Sequence, residues 1–369
     1  MPPFVPGREL NRRYYREAIL PILQTQFPRV KYSAGLIGSG SEVLGYDTEL
    51  SSDHDWGPRG QIFLRKADGE RYRGRIDKAL RERLPPNFRG YSTSFLGPEE
   101  FNPAKVRDPH PGTEIQHNIW IGTAEGFFRE YLGYSPGRKL TVEQWLATPQ
   151  QKLLTLSEGI IFHDGIGLRR ELSKFGYYPR DVWLHLLSSQ WLRISEEEAF
   201  VGRTADVNDE LGSRLIAARQ VRELMLLCFL LERQYAPYDK WLGSAFLRLS
   251  VGGELRPLLI RVLEARTTRA RERVLSQAYE RIAVLQNSLR LTDPLPSKVS
   301  SYHNRPYQVI HSGDFARGLR SRIRDADLRR MNRIGSVDQF SDFEELSGQP
   351  QNAKELQRLI RRIQGSADS

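Results

Sequence analysis

The chain has 369 residues, of which 39% are hydrophobic and 27% charged, and it carries a formal charge of +10 with a pI near 9.7. That balance buries a core and excludes a disordered chain, and the length suits two domains. The basic sign favours polyanionic partners, nucleotides or nucleic acid, without choosing between them.

Residues 9–26 read as a helix, with Tyr15, Ala18, Ile19, Ile22 and Leu23 sharing a face and a kink expected at Pro21. Residues 30–37 read as the first strand, which enters the turn Gly38-Ser39-Gly40-Ser41. Residues 42–44 are expected to start a short helix whose N–H groups and partial positive charge aim at a bound phosphate. Farther on, Asp53 and Asp55 flank His54. Side chains two apart on a strand point the same way, so a strand here would set two carboxylates side by side, which repel unless a cation such as Mg²⁺ joins them. The plain alternative is a glycine-rich loop before a hairpin, with both acids in an ordinary turn.

Gly40-Ser41, eleven intervening residues and then Asp53-His54-Asp55 resemble the signature of the DNA polymerase beta-like nucleotidyltransferase superfamily. Gly45 also falls where small-molecule nucleotidyltransferases often carry a glycine. The order of the whole chain is similar to a bacterial and fungal family of nucleotidyltransferase-like proteins, a domain of unknown function with a long helical C-terminal half. The resemblance implies Gly40 and Ser41 on a triphosphate, and Asp53 and Asp55 as catalytic metal ligands.

After the acids, residues 61–64 continue as strand, Asp68-Gly69 signals a turn, and residues 72–84 read as a basic helix stopped by Pro85-Pro86. Another strand is expected within residues 87–95. In residues 115–123, Ile115, His117, Ile119 and Ile121 alternate with Gln116, Asn118 and Trp120, which reads as a strand. Catalytic members of the superfamily carry a third carboxylate on such a strand, and the resemblance puts Trp120 at its place. Glu114 is six residues away, about 20 Å along an extended strand, and is a poor substitute. Asp77 or an acid of the helical half remains a candidate.

Residues 126–133 read as a helix ending at a glycine cap. Thr141 and Gln144 form a capping-box pattern, and helical spacings follow in residues 182–194, 211–234, 255–263 and 270–289. Glu196, Glu197 and Glu198 read first as a solvated helix face. Aminoglycoside-type nucleotidyltransferases present a general base from a helical domain, and the resemblance makes Glu197 or Glu198 the candidates for that part. Lys240 is expected in a loop between Tyr238 and Trp241, where it either reaches a triphosphate or lies in water. Residues 335–352 have little apolar content and read as a mobile linker before a short amphipathic helix.

The expected fold class is therefore α+β, with a small mixed-sheet nucleotidyltransferase domain (1–138), an all-helical bundle (139–330) and a mobile tail with a short helix (331–369). The expected function is Mg²⁺-dependent transfer of a nucleoside monophosphate from an NTP, ATP first, to a small-molecule or protein hydroxyl, in a cleft between the two domains. Asp53, Asp55, Gly40, Ser41 and Lys240 are the residues on which that expectation rests. Its rivals are a nucleotide-binding protein with impaired catalysis and an RNA-binding protein. The lone cysteine, Cys228, lies in an apolar run with no internal disulfide partner, and residues 1–15 lack a signal-peptide core. No apolar run approaches the roughly 18 residues of a membrane span, so a cytoplasmic protein is expected.

Overall fold

The first helical stretch changes pitch before its proline. In the computed structural model, which describes residues 3–52, 56–95, 106–107 and 114–365, α1 (Gly7–Tyr14) runs into a π-helical turn (Tyr15–Ile19) and then α2 (Leu20–Gln26). Pro21 sits in the first turn of α2, where its missing N–H removes no necessary bond, and the Leu20 amide reaches back five residues to the Tyr15 carbonyl. The break is thus a π turn rather than a kink at the proline.

By its internal contacts the chain divides into two units, Met1–Lys139 with Lys152–Gly176, and Leu140–Gln151 with Tyr177–Ser369. The first holds β1 (Tyr32–Leu36), β2 (Arg59–Leu64) and α3 (Lys66–Arg83). The short pair β3 (Asn87–Phe88) and β4 (Tyr91–Ser92) follows, then β5 (Ser94–Phe95) paired with β6 (Val106–Arg107). Next come β7 (Asn118–Thr123) and α4 (Ala124–Leu132). After α5 (Val142–Ala147), which belongs to the second unit, α6 (Gln150–Ser157) leads to β8 (Ile160–Asp164) and α7 (Leu168–Leu172). Asp68 and Gly69 lie inside α3 rather than in a turn, and residues 87–95 form three two-residue strands instead of one.

Four strands make one mixed sheet in the order β7-β2-β1-β8, with β2 and β7 parallel and the other neighbours antiparallel. One face carries Ala34, Ile62, Leu64, Ile119 and Ile121, which pack with Leu10, Tyr14 and Leu23 from the first helices and with Ile76 and Leu80 of α3. On the other face the rings of Phe63, Trp120 and Phe127 meet at centroid distances of 5.3–5.5 Å. Strand β8 ends in polar His163 and Asp164, a run whose sequence reads equally as the end of a strand or of a helix.

The second unit is helical. It contains α8 (Arg180–Glu197), α9 (Phe200–Asp206), α10 (Glu210–Leu231), α11 (Asp239–Phe246), α12 (Gly252–Glu264) and α13 (Thr268–Ser288). A hairpin of β9 (Ser300–Tyr302) and β10 (Arg305–Val309) interrupts the helices. The chain then forms α14 (Ser312–Ser321), α15 (Ala326–Arg330), α16 (Val337–Phe340), α17 (Glu344–Ser347) and α18 (Ala353–Gly365). Helix α8 is buried nearly all round from Val182 to Trp191, which marks it as the centre of the unit. Its Trp191 stacks on Phe315 at 4.5 Å and donates to the Gln286 carboxamide at 3.0 Å.

The chain is therefore α+β, with a small mixed sheet in the N-terminal half and a helical C-terminal half. Part of the segment expected as a mobile linker is packed: Ser336, Val337 and Gln339 are buried, and Asp338 accepts from the Gln150 amide at 2.8 Å. Helix α18 docks within the same unit, with Leu356 and Ile360 buried and Arg361 paired to Glu143 of α5 at 3.0 Å. Among the described residues, no helix is long and apolar enough to cross a membrane.

Candidate functional site

The end of β1 is held by a side chain. On β2, the Gln61 carboxamide donates to the Ile37 carbonyl at 3.0 Å and accepts from the Ile37 amide at 2.9 Å, so the backbone bond of a regular ladder is replaced just where the chain turns away. Gly38 follows at φ 89°. A Cβ there would stand 3.3 Å from Phe127 Cζ and 3.6 Å from Tyr131 Cε2, so backbone angle and space both call for glycine. Gly40 has φ 127°, and a Cβ on it would come to 2.5 Å from the Glu42 carboxylate.

Around these glycines the backbone is open. Ser39 is exposed, Gly40 and Ser41 are half-buried, and the amides of Ser39, Gly40 and Ser41 have no acceptor among the described residues. Consecutive free N–H groups in such a bend form an anion-binding concavity. The expected helix over residues 42–44 is a single 3-10 turn, Ser41–Val43. Too few peptides align there for a helix dipole, so any attraction for phosphate comes from the loop amides.

Beneath the loop lies an ion pair. Arg59 Nε donates to Glu42 Oε1 at 2.6 Å, and a terminal nitrogen of the same guanidinium bonds the Ser39 carbonyl. The start of α1 braces this pair: the Asn11 carboxamide accepts from the Arg59 amide at 2.7 Å, and Arg8 Nε donates to the Val43 carbonyl at 3.1 Å. Asp47 accepts from the Gly7 amide at 2.7 Å and from Trp56 Nε1 at 3.1 Å. Asp53 and Asp55 themselves lie outside the described residues. The chain resumes at Trp56, which is buried and stacks on Phe4 at 5.8 Å.

The sheet register sets Gly35, Gln61 and Trp120 in one row. Trp120 packs between Phe63 and Phe127, and its Nε1 donates to Glu130 at 2.7 Å, so the position expected for a third carboxylate holds an indole. Gly122 leaves the ring its space, since a Cβ there would lie 2.5 Å from Trp120 Cη2. Asp77 is committed elsewhere. It binds Arg81 at 2.7 Å and faces His117 Nε2 at 3.4 Å, beside a cavity of about 390 Å³ lined by Arg73, Gly74, Asp77, Ile119, Trp120 and Ile121. His117 accepts from the Ile119 amide through Nδ1, and burial holds its imidazole below the usual range.

Three residues around the loop were missed by sequence reasoning: Arg59, Tyr131 and Lys152. The half-buried Tyr131 bonds Thr155 Oγ1 through its phenol at 2.6 Å, and Lys152 Nζ donates to the Tyr131 carbonyl at 2.8 Å. Burial pulls the Lys152 amine down to about 8. A lone lysine in the otherwise uncharged stretch Gln150–Ser157 was the available signal.

In the second unit Lys240 lies in helix α11, not in a loop, and is exposed with its ammonium 5.1 Å from the Trp241 ring centre. Glu197 pairs with Arg219. Glu198 is buried against the start of α14, where it accepts from the Ser312 amide at 3.2 Å and the Ser312 hydroxyl at 2.9 Å. Burial pushes Glu198 up to about 7, against the opposing pull of those bonds. Among the described residues no group of three or more His, Cys, Asp or Glu is arranged to hold a metal ion.

No curated protein and no solved structure matches the chain. Residues 145–242, from Trp145 in α5 to Leu242 in α11, match the model of a family described as Domain of unknown function (DUF4037).

Proposed function

We propose that the loop Gly38 to Ser41 holds the phosphates of ATP or another NTP, and that the protein is a nucleotidyltransferase-like enzyme. It transfers a nucleoside monophosphate to a small-molecule or protein hydroxyl and releases pyrophosphate. One observation carries this reading: the consecutive amides of Ser39, Gly40 and Ser41, which have no acceptor among the described residues, in a loop where Gly38 and Gly40 take positive φ and which is braced by the Glu42–Arg59 pair. Around the loop Glu42 is taken by Arg59, so a divalent ion would depend on Asp53 and Asp55, with the Ser41 hydroxyl as a neutral neighbour. Mg²⁺ bound there would neutralise charge on the transferring phosphate. The protein's own residues orient the triphosphate through the loop amides.

A second reading, nucleotide binding without turnover, is favoured by Trp120 in the row with Gln61. Incubation with labelled ATP, Mg²⁺ and a metabolite pool separates the two, since only the enzyme releases pyrophosphate. Both readings expect Asp53→Asn with Asp55→Asn to abolish Mg²⁺-dependent ATP binding in a folded protein. Unchanged binding in that double variant removes the site.

A further inference from the structure

The sheet of the first unit ends at β7, whose one neighbour is β2. A strand paired on one side leaves alternate amides and carbonyls facing outward. Among the described residues the Ile119 amide donates to His117 Nδ1, and no other amide or carbonyl from Asn118 to Gly122 bonds a group outside the sheet. Helix α3 runs antiparallel along this edge. Near its start a Cβ on Gly69 would touch Thr123 at 3.4 Å, farther on Asp77 reaches His117 at 3.4 Å, and the Arg81 carbonyl accepts from the Ile115 amide at 3.1 Å. The cavity walled by Arg73, Gly74 and Asp77 opens between this helix and the strand.

The charges on this side of α3 alternate. Glu70, Arg73, Asp77 and Arg81 follow at intervals of three or four residues, so they form one stripe of the helix, acid, base, acid, base. Such a stripe is complementary to itself when reversed. A two-fold axis through the cavity, perpendicular to the sheet, sets β7 and α3 antiparallel to the same elements of a second copy. Arg73 then faces the partner's Asp77, and Glu70 faces the partner's Arg81. A parallel alignment would set like charges together. Gly74, at the crossing, has no side chain to hold the two helices apart, and no other group of the chain stands over it. Asp77 can take the further bond, since Arg81 Nε occupies Oδ2 at 2.7 Å and a carboxylate accepts about four.

We propose that this edge is a homodimer interface, in which β7 pairs antiparallel with the partner's β7 and joins two four-stranded sheets into one. It is independent of the nucleotide reading.

Sedimentation velocity of the full chain over a concentration series tests it. The wild type is expected to dimerise reversibly. Arg73→Glu and Asp77→Lys each place like charges opposite one another on both sides of the axis, and each alone is expected to weaken association about tenfold. An equimolar mixture of the two variants is expected to recover a mixed dimer, because every facing pair then has opposite sign. Single variants that dimerise within twofold of wild type overturn the proposal, as does a mixture that stays monomeric. A wild type that stays monomeric overturns it too, whether the edge serves a different chain or none. Should Asp77→Lys not fold once Arg81 loses its partner, Arg73→Glu decides alone, because Arg73 is exposed.

Discussion

Arg59 and Glu42 meet at 2.6 Å beneath the glycine loop, with the side chains 12% and 1% exposed. A buried pair broken on one side leaves an uncompensated charge, which costs about 3–5 kcal/mol. Glu42→Gln or Arg59→Met alone is expected to lose stability toward the lower part of that range, because Arg59 keeps some access to water. The double variant is expected to recover much of the loss, as read by urea denaturation. Single variants that melt like wild type would show the pair to be solvated.

Gly38 and Gly45 give a comparison between strain and space. Both have positive φ, 89° and 66°, but a Cβ on Gly45 meets nothing within 4 Å, whereas one on Gly38 meets Phe127 and Tyr131. Alanine at Gly45 pays left-handed strain alone, about 1–2 kcal/mol. Gly38→Ala adds a displaced ring and is expected to cost more and to disturb the loop. Thermal unfolding of the two variants checks the order.

Lys152 makes stability depend on alkaline pH. Its amine titrates near 10.5 in the unfolded chain and at about 8 in the fold. Between those values the unfolded chain binds more protons, so its contribution to stability rises with pH across that window and is lowest below pH 8. Lys152→Met removes this slope. Below pH 8 the variant is expected to gain up to about 3 kcal/mol relative to wild type, less about 1 kcal/mol for the lost bond to the Tyr131 carbonyl. The gain is expected to shrink by pH 10, as denaturant curves at pH 7 and 10 would read.

Glu198 acts in the opposite window. Its carboxyl titrates near 4.5 when unfolded and at about 7 in the fold, so between those values the folded chain binds the extra proton and stability falls as pH rises. Glu198→Gln mimics the protonated acid. The variant is expected to gain roughly 3 kcal/mol on wild type between pH 4.5 and 7.5. A difference that stays flat across that range would place the carboxylate in water.

Much of the fold was legible because local signals agreed with the tertiary answer. The Thr141–Gln144 capping box, the Gly133 cap and helices α8, α10, α12 and α13 stand where spacing and caps put them. The glycine loop was legible for the same reason, as positive φ demands glycine. Elsewhere partners distant in sequence decided the outcome. Lys240 looked like a loop residue because aromatic and proline neighbours precede it, yet α11 starts at Asp239. Residues 336–339 looked like a linker because few apolar side chains mark them. Their anchors are hydrogen bonds from Gln339 to the Leu186 carbonyl and from the Gln150 amide to Asp338, which a count of apolar residues does not register. Arg59 and Tyr131 were invisible as loop supports, since their partners Glu42 and Thr155 are 17 and 24 positions away.

Strand β8 pairs with β1 from about 130 positions downstream, as Ala34 opposite His163. During synthesis the N-terminal sheet cannot be completed until residue 164 has left the ribosome, and until then β1 offers a bare edge of backbone donors and acceptors to any neighbouring chain. A fragment cut at residue 138 would keep the glycine loop but display that edge permanently. Such a fragment is expected to associate or precipitate, while one extended to residue 176 retains the missing strand.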